Sequence, residues 1–406
     1  MVTKINGVIP MKILFLTSRW PVPPITGDRI RAFYLLRHLT QKHDVTLVSF
    51  YENFHEIKQL KSSQLNVRIR PVKFPAGLSL YARLGSGLFS KLPLQVHYYS
   101  TKKIKQVIHE ELKSNSYDLI FVHLLRMANY VMDLASIPKI IDLTDAISLN
   151  YERLLQFSGF YQNRSFNKIY SLEKERVLNY EKNILRKFNR TLLISGVDKD
   201  YLQAHCTVDP MAVVQNGVNL DYFKYLPNGC DSDKIVFHGN MNYLPNVDAA
   251  LYFYRDIFPL VKQKRPRAKF FMVGVRPKKQ LQALEKYQDV FVTGRLNDLR
   301  PQLRSAALAV CPLRAGAGLQ NKILEAMAIG TPVVTTSLGL EGIHARPGKH
   351  LEVADTPEAF AEKVVSFMNN PGKREEFSRQ ARQFVEENYT WEKALAPLDD
   401  ILNEFE

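Results

Sequence analysis

The sequence predicts an α/β fold of two doubly wound domains, and three observations carry that expectation. Short apolar runs alternate with helical-period stretches along nearly the whole chain, the pattern of parallel strands joined by crossover helices. Glycines stand where several of those runs end, so the backbone can turn or be closely approached there. The rhythm pauses after residue 206 and then restarts, and 406 residues suggest two domains of about 200 residues each.

In order, Met1–Pro10 reads as an extension and Lys12–Leu16 as a buried strand. The loop Thr17–Arg29 (TSRWPVPPITGDR) is broken by proline and glycine. Ile30–Thr40 should be a helix with Phe33, Leu36 and Leu39 on one side, and Val45–Phe50 the next strand. Together these make a right-handed βαβ unit, whose ligands gather at the carboxyl ends of strands. Ile57–Lys61 and Ile104–Leu112 read as helices, Val67–Val72 as extended, and Leu119–His123 and Ile140–Asp142 as buried strands. Phe74–Tyr99 mixes Leu, Phe and Tyr with Lys and Arg. It suits either a helical hairpin packed on the domain or an apolar, basic surface that meets a membrane or a lipid-linked substrate. Ser171–Phe188 reads as a solvated helix, Thr191–Ser195 as a strand, and Val213–Phe223 as a strand followed by an Asn-Gly turn.

The second half repeats the pattern, with strands at Lys234–Gly239, Ala268–Gly274 and Val290–Thr293 and helices at Val247–Phe258 and Lys278–Tyr287. Helices are expected again at Glu358–Met368, at Arg374–Asn388 and after Trp391. Between them lies the most informative stretch, residues 311–334. Ala307–Pro312 suits a buried strand, Gly316 and Gly318 a turn, and Ile323, Leu324 and Met327 one apolar helical face, with Lys322 and Glu325 toward the other side. Gly330 and Pro332 stop the helix, and Val333-Val334 begins another strand. A helix start preceded by glycines attracts anions because its first amides lack partners. Arg314 and Lys322 would add charge, and Glu325 could accept hydrogen bonds from a sugar diol. An ordinary βαβ unit with a charged outer face explains the same pattern.

With 46% hydrophobic and 23% charged residues, the chain has a globular composition. No apolar run approaches the ~20 residues of a membrane span. Cys206, Cys230 and Cys311 form no CxxC pair, which points to a reducing cytosol and away from structural zinc. The net charge of +15 is uneven, because residues 1–200 hold 30 Lys and Arg against 16 Asp and Glu. Such an excess fits nucleic acid, an anionic membrane or a phosphorylated substrate. No nucleic-acid-binding motif accompanies it, so nucleic acid is not expected as a partner.

Several motifs, in this order, resemble family 4 of the retaining glycosyltransferases: P-x-x-G-D at Pro24–Asp28, N-G-V at Asn216–Val218, and the V-F-H-G segment within Val236–Asn246. Val273-Gly274, V-T-G at Val292–Gly294 and L-E-A-M-A-x-G-x-P-V-V at Leu324–Val334 continue the series. The run G-L-Q-N-K-I-L-E-A-M-A is similar to bacterial sugar transferases of exosortase and exopolysaccharide systems. The resemblance implies two Rossmann-like domains facing a central cleft (GT-B). These would be an acceptor-binding domain at 11–205, a nucleotide-sugar-binding domain at 206–388, and a C-terminal helix, 389–406, returning to the first. It implies that Glu325 holds the ribose, and that Gly318, Gln320, Asn321, Lys322 and Arg314 face the diphosphate. Arg295 lies where the base is read, Gly27 and Asp28 in the loop over the phosphates, and His123 near the donor sugar. Two departures stand out. Ala317 replaces the first Glu of the family's E-x7-E motif, and Asn240 with Pro245-Asn246 occupies the region of the usual Arg and Lys, which shifts the diphosphate's neutralisation toward Arg314, Lys322, Arg29 and Arg276.

The implied activity is retaining, metal-independent glycosyl transfer without a cofactor, in the cytoplasm or peripherally on the inner face of the plasma membrane. The donor would be a nucleotide sugar and the acceptor a glycan or lipid-linked molecule of exopolysaccharide synthesis. Fixed cations and helix amides would stabilise the leaving diphosphate. Asp231-Ser232-Asp233 reads as a solvated linker turn, whereas the run from Asp142 to Asp145, after a buried strand, suits an acceptor hydroxyl or a helix cap. A sugar-nucleotide 2-epimerase and a non-catalytic nucleotide-sugar or anionic-surface binder are the alternatives. The missing acid at Ala317 and the basic first half favour the transferase.

Overall fold

The computed structural model describes residues 10–63, 65–75, 85–87, 90–156, 164–208, 210–226 and 229–405. These residues form two compact units. The first takes in residues 10–155, 164–215 and 395–405, and the second takes in residue 156 and residues 216–394.

The first unit is built on a parallel sheet of β1 (Lys12–Thr17), β2 (Asp44–Tyr51), β3 (Val67–Lys73), β4 (Leu119–His123), β5 (Lys139–Thr144), β6 (Arg190–Leu193) and β7 (Met211–Val213). Their spatial order is β3-β2-β1-β4-β5-β6-β7, so the winding reverses between β1 and β4. The central strands are apolar on both faces because helices cover both: Ile13–Leu16 and Leu119–Val122 are fully buried. Phe15 and Phe121 stack across the reversal at 5.2 Å. The helix after β1 begins at Gly27 and runs to Leu39, earlier than the apolar spacing indicates, and buries Arg31 along with Leu35, Leu36 and Leu39. The long charged helix begins at Arg164 and runs to Lys187. The end of the last helix (Trp391–Asn403) belongs to this unit, where Asp399 lies 2.7 Å from both His38 Nε2 and Lys42 Nζ.

The second unit carries β8 (Asp231–His238), β9 (Lys269–Val273), β10 (Val290–Val292), β11 (Ala306–Cys311), β12 (Val333–Thr335) and β13 (Glu352–Val353). They are parallel in the order β10-β9-β8-β11-β12-β13, with the reversal between β8 and β11. Asn216-Gly217-Val218 locks against the chain at Tyr389–Trp391. Val218 donates its amide to Tyr389 at 2.8 Å, and a Cβ on Gly217 would meet Trp391 backbone at 2.5 Å.

Four local expectations change. Asp231-Ser232-Asp233 is the start of β8, not a linker turn: Asp231 pairs with Lys269 at 3.7 Å, and Asp233 is nearly buried against Arg265. The helix expected at Val247–Phe258 is Leu244–Tyr252, a π turn at Phe253–Ile257 and a further helix, Phe258–Lys264. Pro259 has no amide to donate back to Arg255, which accounts for the break. The extended run from Val213 ends at once, and Lys278–Tyr287 shrinks to short helical turns. Of Phe74–Tyr99, Leu94–Tyr99 is a helix, while 76–84 and 88–89 lie outside the described residues, as do 1–9 of the N-terminal extension. Among the described residues no helix is long and apolar enough to cross a membrane.

Candidate functional site

In the second unit the carboxyl ends of β8, β9 and β11 bring together most of the predicted donor-binding residues. A Cβ on Gly274 would come within 1.7 Å of the Gly239 carbonyl, so the ends of β8 and β9 touch backbone to backbone. Beyond β11 the loop passes Gly316 and Gly318, both at positive φ, into the helix Asn321–Ile329. No side chain among the described residues caps this helix start. The Asn321 amide donates to the Leu319 carbonyl at 3.1 Å and the Ile323 amide to the Gln320 carbonyl at 2.9 Å, so an anion is drawn here by the positive end of the helix more than by open amides.

Lys322, in the first turn, is held by two neutral oxygens: Asn246 Oδ1 at 3.0 Å and Gln320 Oε1 at 2.8 Å. Burial pushes its pKa down, with Cys311 and Glu325 opposing that shift. Gln320 also donates to the Gly318 carbonyl at 3.1 Å, and Asn321 accepts from Asn216 at 3.2 Å. Glu325 lies one turn further on, 2.9 Å from Nε2 of His238, the last residue of β8. His238 is buried and Glu325 partly exposed. Sequence reasoning did not single out His238; its place just before the β8-end glycine was the available signal.

Two predicted cations are placed differently from one another. Arg314 is turned onto Asp248, with Nη2 and Nε at 2.6 and 3.1 Å from the carboxylate, and lies 4.1 Å over the Tyr252 ring. Its fork is therefore occupied by an acid rather than held open. Arg295 is exposed after Gly294. Arg276, also exposed, has φ +53, a strained left-handed backbone in the loop after β9. Ala317 leaves its carbonyl 3.5 Å from the Gln320 amide.

In the first unit, His123 ends β4 and is buried. Its Nδ1 lies 2.8 Å from Asp142 Oδ2 and its Nε2 3.0 Å from the Asp28 carbonyl. Asp142 in turn receives Arg31 through both oxygens, at 2.7 and 2.8 Å, and both side chains are fully buried. Burial alone would raise the Asp142 pKa, but Arg31 and His123 hold it well below the usual carboxylate range. Arg31 is the second residue sequence reasoning missed, since it resembles any charged helix position. Leu124 and Thr144, following His123 and ending β5, both adopt φ +71, so two strand ends are strained beside this network.

Gly27 opens the helix N-terminus with free space where a Cβ would stand. Asp28 bonds the Thr26 hydroxyl at 2.6 Å and pairs with Arg19 at 3.2 Å. Against its burial, Arg19 and Arg126 keep its pKa low. Asp145 does not join the His123 network: its Oδ1 is shut from solvent without a hydrogen-bond partner among the described residues, and burial together with Asp198 raises its pKa well above the usual range. Asp142, enclosed by Arg31 and His123, is likewise not presented to an acceptor hydroxyl.

Residues 232–370 match the family model described as glycosyl transferases group 1. A Klebsiella pneumoniae relative, described as an uncharacterized 44.6 kDa protein in cps region, is 22% identical over 405 residues, covering 95% of this chain and 98% of that protein. Among solved structures, Anabaena Alr3699/HepE in complex with UDP and glucose superposes with a TM-score of 0.66 at 16% identity, over 97% of this chain and 100% of that one. Sucrose-phosphate synthase from Thermosynechococcus elongatus gives 0.70 at 14% identity, over 97% and 98%. S. aureus TarM, in complex with UDP among other ligands, gives 0.67 at 13%, over 97% and 99%. The likeness shows the fold, that of two-domain Rossmann-like glycosyltransferases.

Proposed function

We propose that this protein is a retaining glycosyltransferase that moves a sugar from a nucleotide-sugar donor to a glycan or lipid-linked acceptor in surface-polysaccharide synthesis. The observation that carries the reading is the alignment of Lys322 and Glu325 on one uncapped helix start at the β8/β11 reversal, with His238 against Glu325. Glu325 takes the ribose hydroxyls, while Lys322 and the positive end of the helix take the diphosphate. As the glycosidic bond breaks, negative charge grows on the leaving phosphate, and fixed positive groups there lower the barrier. That charge balance draws on the protein's own cations, with Arg276 and Arg295 available where Arg314 is engaged by Asp248. The UDP complexes of similar folds favour a uridine donor, and the relative's place in a cps region favours a capsule-type product. The basic first half adds attachment to an anionic membrane surface, read by salt-sensitive co-sedimentation with phosphatidylglycerol vesicles.

The test is incubation with UDP-sugars, with and without a bacterial lipid extract. Acceptor-dependent nucleotide release with retained anomeric configuration supports the reading. Isomerised nucleotide sugar formed without acceptor, or binding without turnover on any acceptor, overturns it.

A further inference from the structure

A second concave site lies at the carboxyl ends of β1, β2 and β3 in the first unit, a cavity of about 340 Å³. Its composition is unlike that of the donor site. Phe74 forms the wall, with its ring centre 5.4 Å from Tyr98, 5.2 Å from Tyr99 and 5.0 Å from Phe50. Phe74 and Tyr98 are only half-buried, so this wall faces the cavity with ring surface rather than backbone. An aromatic face carries negative potential and takes the C–H face of a pyranose ring.

Polar groups are placed around that wall. Ser18 lines the cavity, with its hydroxyl closed to solvent and without a hydrogen-bond partner among the described residues. Tyr99 Oη is only loosely engaged, 3.4 Å from Arg19 Nε and 3.5 Å from Arg126 Nη1. Three cations and two carboxylates line the cavity, and Arg29 already closes on Glu56 at 2.9 Å. That leaves Lys73, exposed and without an ion pair among the described residues, and Arg19, whose side chain is 39% exposed and shares its guanidinium with Asp28 at 3.2 Å, against Glu52.

We propose that this cavity is an acceptor subsite for an anionic sugar. The pyranose face lies on Phe74 and Tyr98, its hydroxyls reach Tyr99 Oη, and its phosphate or carboxylate meets Lys73 and Arg19. The proposal rests on the glycosyltransferase reading for the word acceptor, while the preference for an anionic sugar stands on the cavity alone.

Saturation-transfer NMR with methyl glucoside, methyl glucuronide, glucose 6-phosphate and inorganic phosphate tests it on the full chain. The expected result is binding of the charged sugars, with the neutral glucoside about tenfold weaker. The better of the glucuronide and the sugar phosphate identifies the anion's source. Phe74→Ala should abolish binding, and Lys73→Glu, on an exposed side chain that leaves the fold intact, should weaken it about tenfold. Equal binding of the neutral glucoside, inorganic phosphate binding as well as the sugars, or an unaffected Lys73→Glu variant overturns the proposal. Calorimetry with UDP-glucose runs alongside. Retained donor affinity in the Lys73→Glu variant confines its loss to this cavity. Charged sugars bound by a protein that binds no nucleotide sugar would sink the transferase reading and leave an anionic-sugar site standing.

Discussion

His238 Nε2 and Glu325 Oε2 stand 2.9 Å apart, tying the end of β8 to the helix that follows β11. The contact fixes the carboxylate, and the exposed part of Glu325 remains to accept from a diol. Glu325→Ala is expected to weaken nucleotide-sugar binding by about 1–3 kcal/mol, the range for hydrogen bonds to a charged acceptor. Titration calorimetry reads this directly, and an unchanged donor affinity would contradict the ribose role.

Lys322 donates its hydrogen bonds to two neutral oxygens, those of Asn246 and Gln320, while Glu325 acts on it only through charge. A cation kept on neutral partners is ready for an incoming anion, which also offsets the burial that depresses its pKa. Lys322→Met keeps much of the volume and removes the charge. Turnover should fall about a hundredfold, the scale of losing one fixed charge-stabilising donor, with little change in melting temperature. Equal turnover at matched stability rules out a phosphate role.

Much of the fold was legible because it is written locally. The apolar run at Leu119–His123 is β4 itself, and the helix expected from Asn321 begins there and ends at Ile329, before left-handed Gly330. What was not legible depends on long-range pairing. Arg31 and Asp142 are 111 residues apart, and Arg314 and Asp248 are 66 apart. No local periodicity announces that one arginine will be buried whole and another folded onto an acid. Asp231-Ser232-Asp233 looked like a solvated turn because its partners, Lys269 and Arg265, come from and just before the next strand.

Glu181 makes stability pH-dependent. It is buried beneath the start of the helix Ile147–Gln156, accepting from the Ile147 amide at 2.8 Å and from the Ser148 hydroxyl. Burial pushes its pKa up to about 7 from 4.5, outweighing the Ser148 and Ile147 hydrogen bonds, and nearby Asp198 adds to the rise. The folded state therefore holds this proton where the unfolded chain has released it. Its effect is to make stability fall as pH rises from 4.5 to about 7. Glu181→Gln, which mimics the protonated acid, should remove that share of the slope and be the more stable protein above about pH 7. Denaturant titrations across this window check it, and parallel slopes in the two proteins would refute it.

The Arg31–Asp142–His123 network gives the opposite sign. Asp142 is fully buried, and its two contacts to Arg31, at 2.7 and 2.8 Å, hold its pKa well below 3.8 despite that burial. In the natural protein this group stabilises above the unfolded value, and the contribution is lost as pH falls toward the folded one. Arg31→Met removes the compensating charge while filling most of the space. The remaining carboxylate is then buried with only His123 beside it, at a cost of about 3–5 kcal/mol near neutrality. Burial now dominates and raises the Asp142 pKa above 3.8, so acidification should recover stability in the variant, while the natural protein keeps its Asp142 contribution until the pH falls below 3.8. Unfolding free energies measured between about pH 4 and 7 should therefore converge on the acid side. Two curves that stay parallel would mean that Arg31 contributes packing alone, and that the orientation of His123 does not depend on this ion pair.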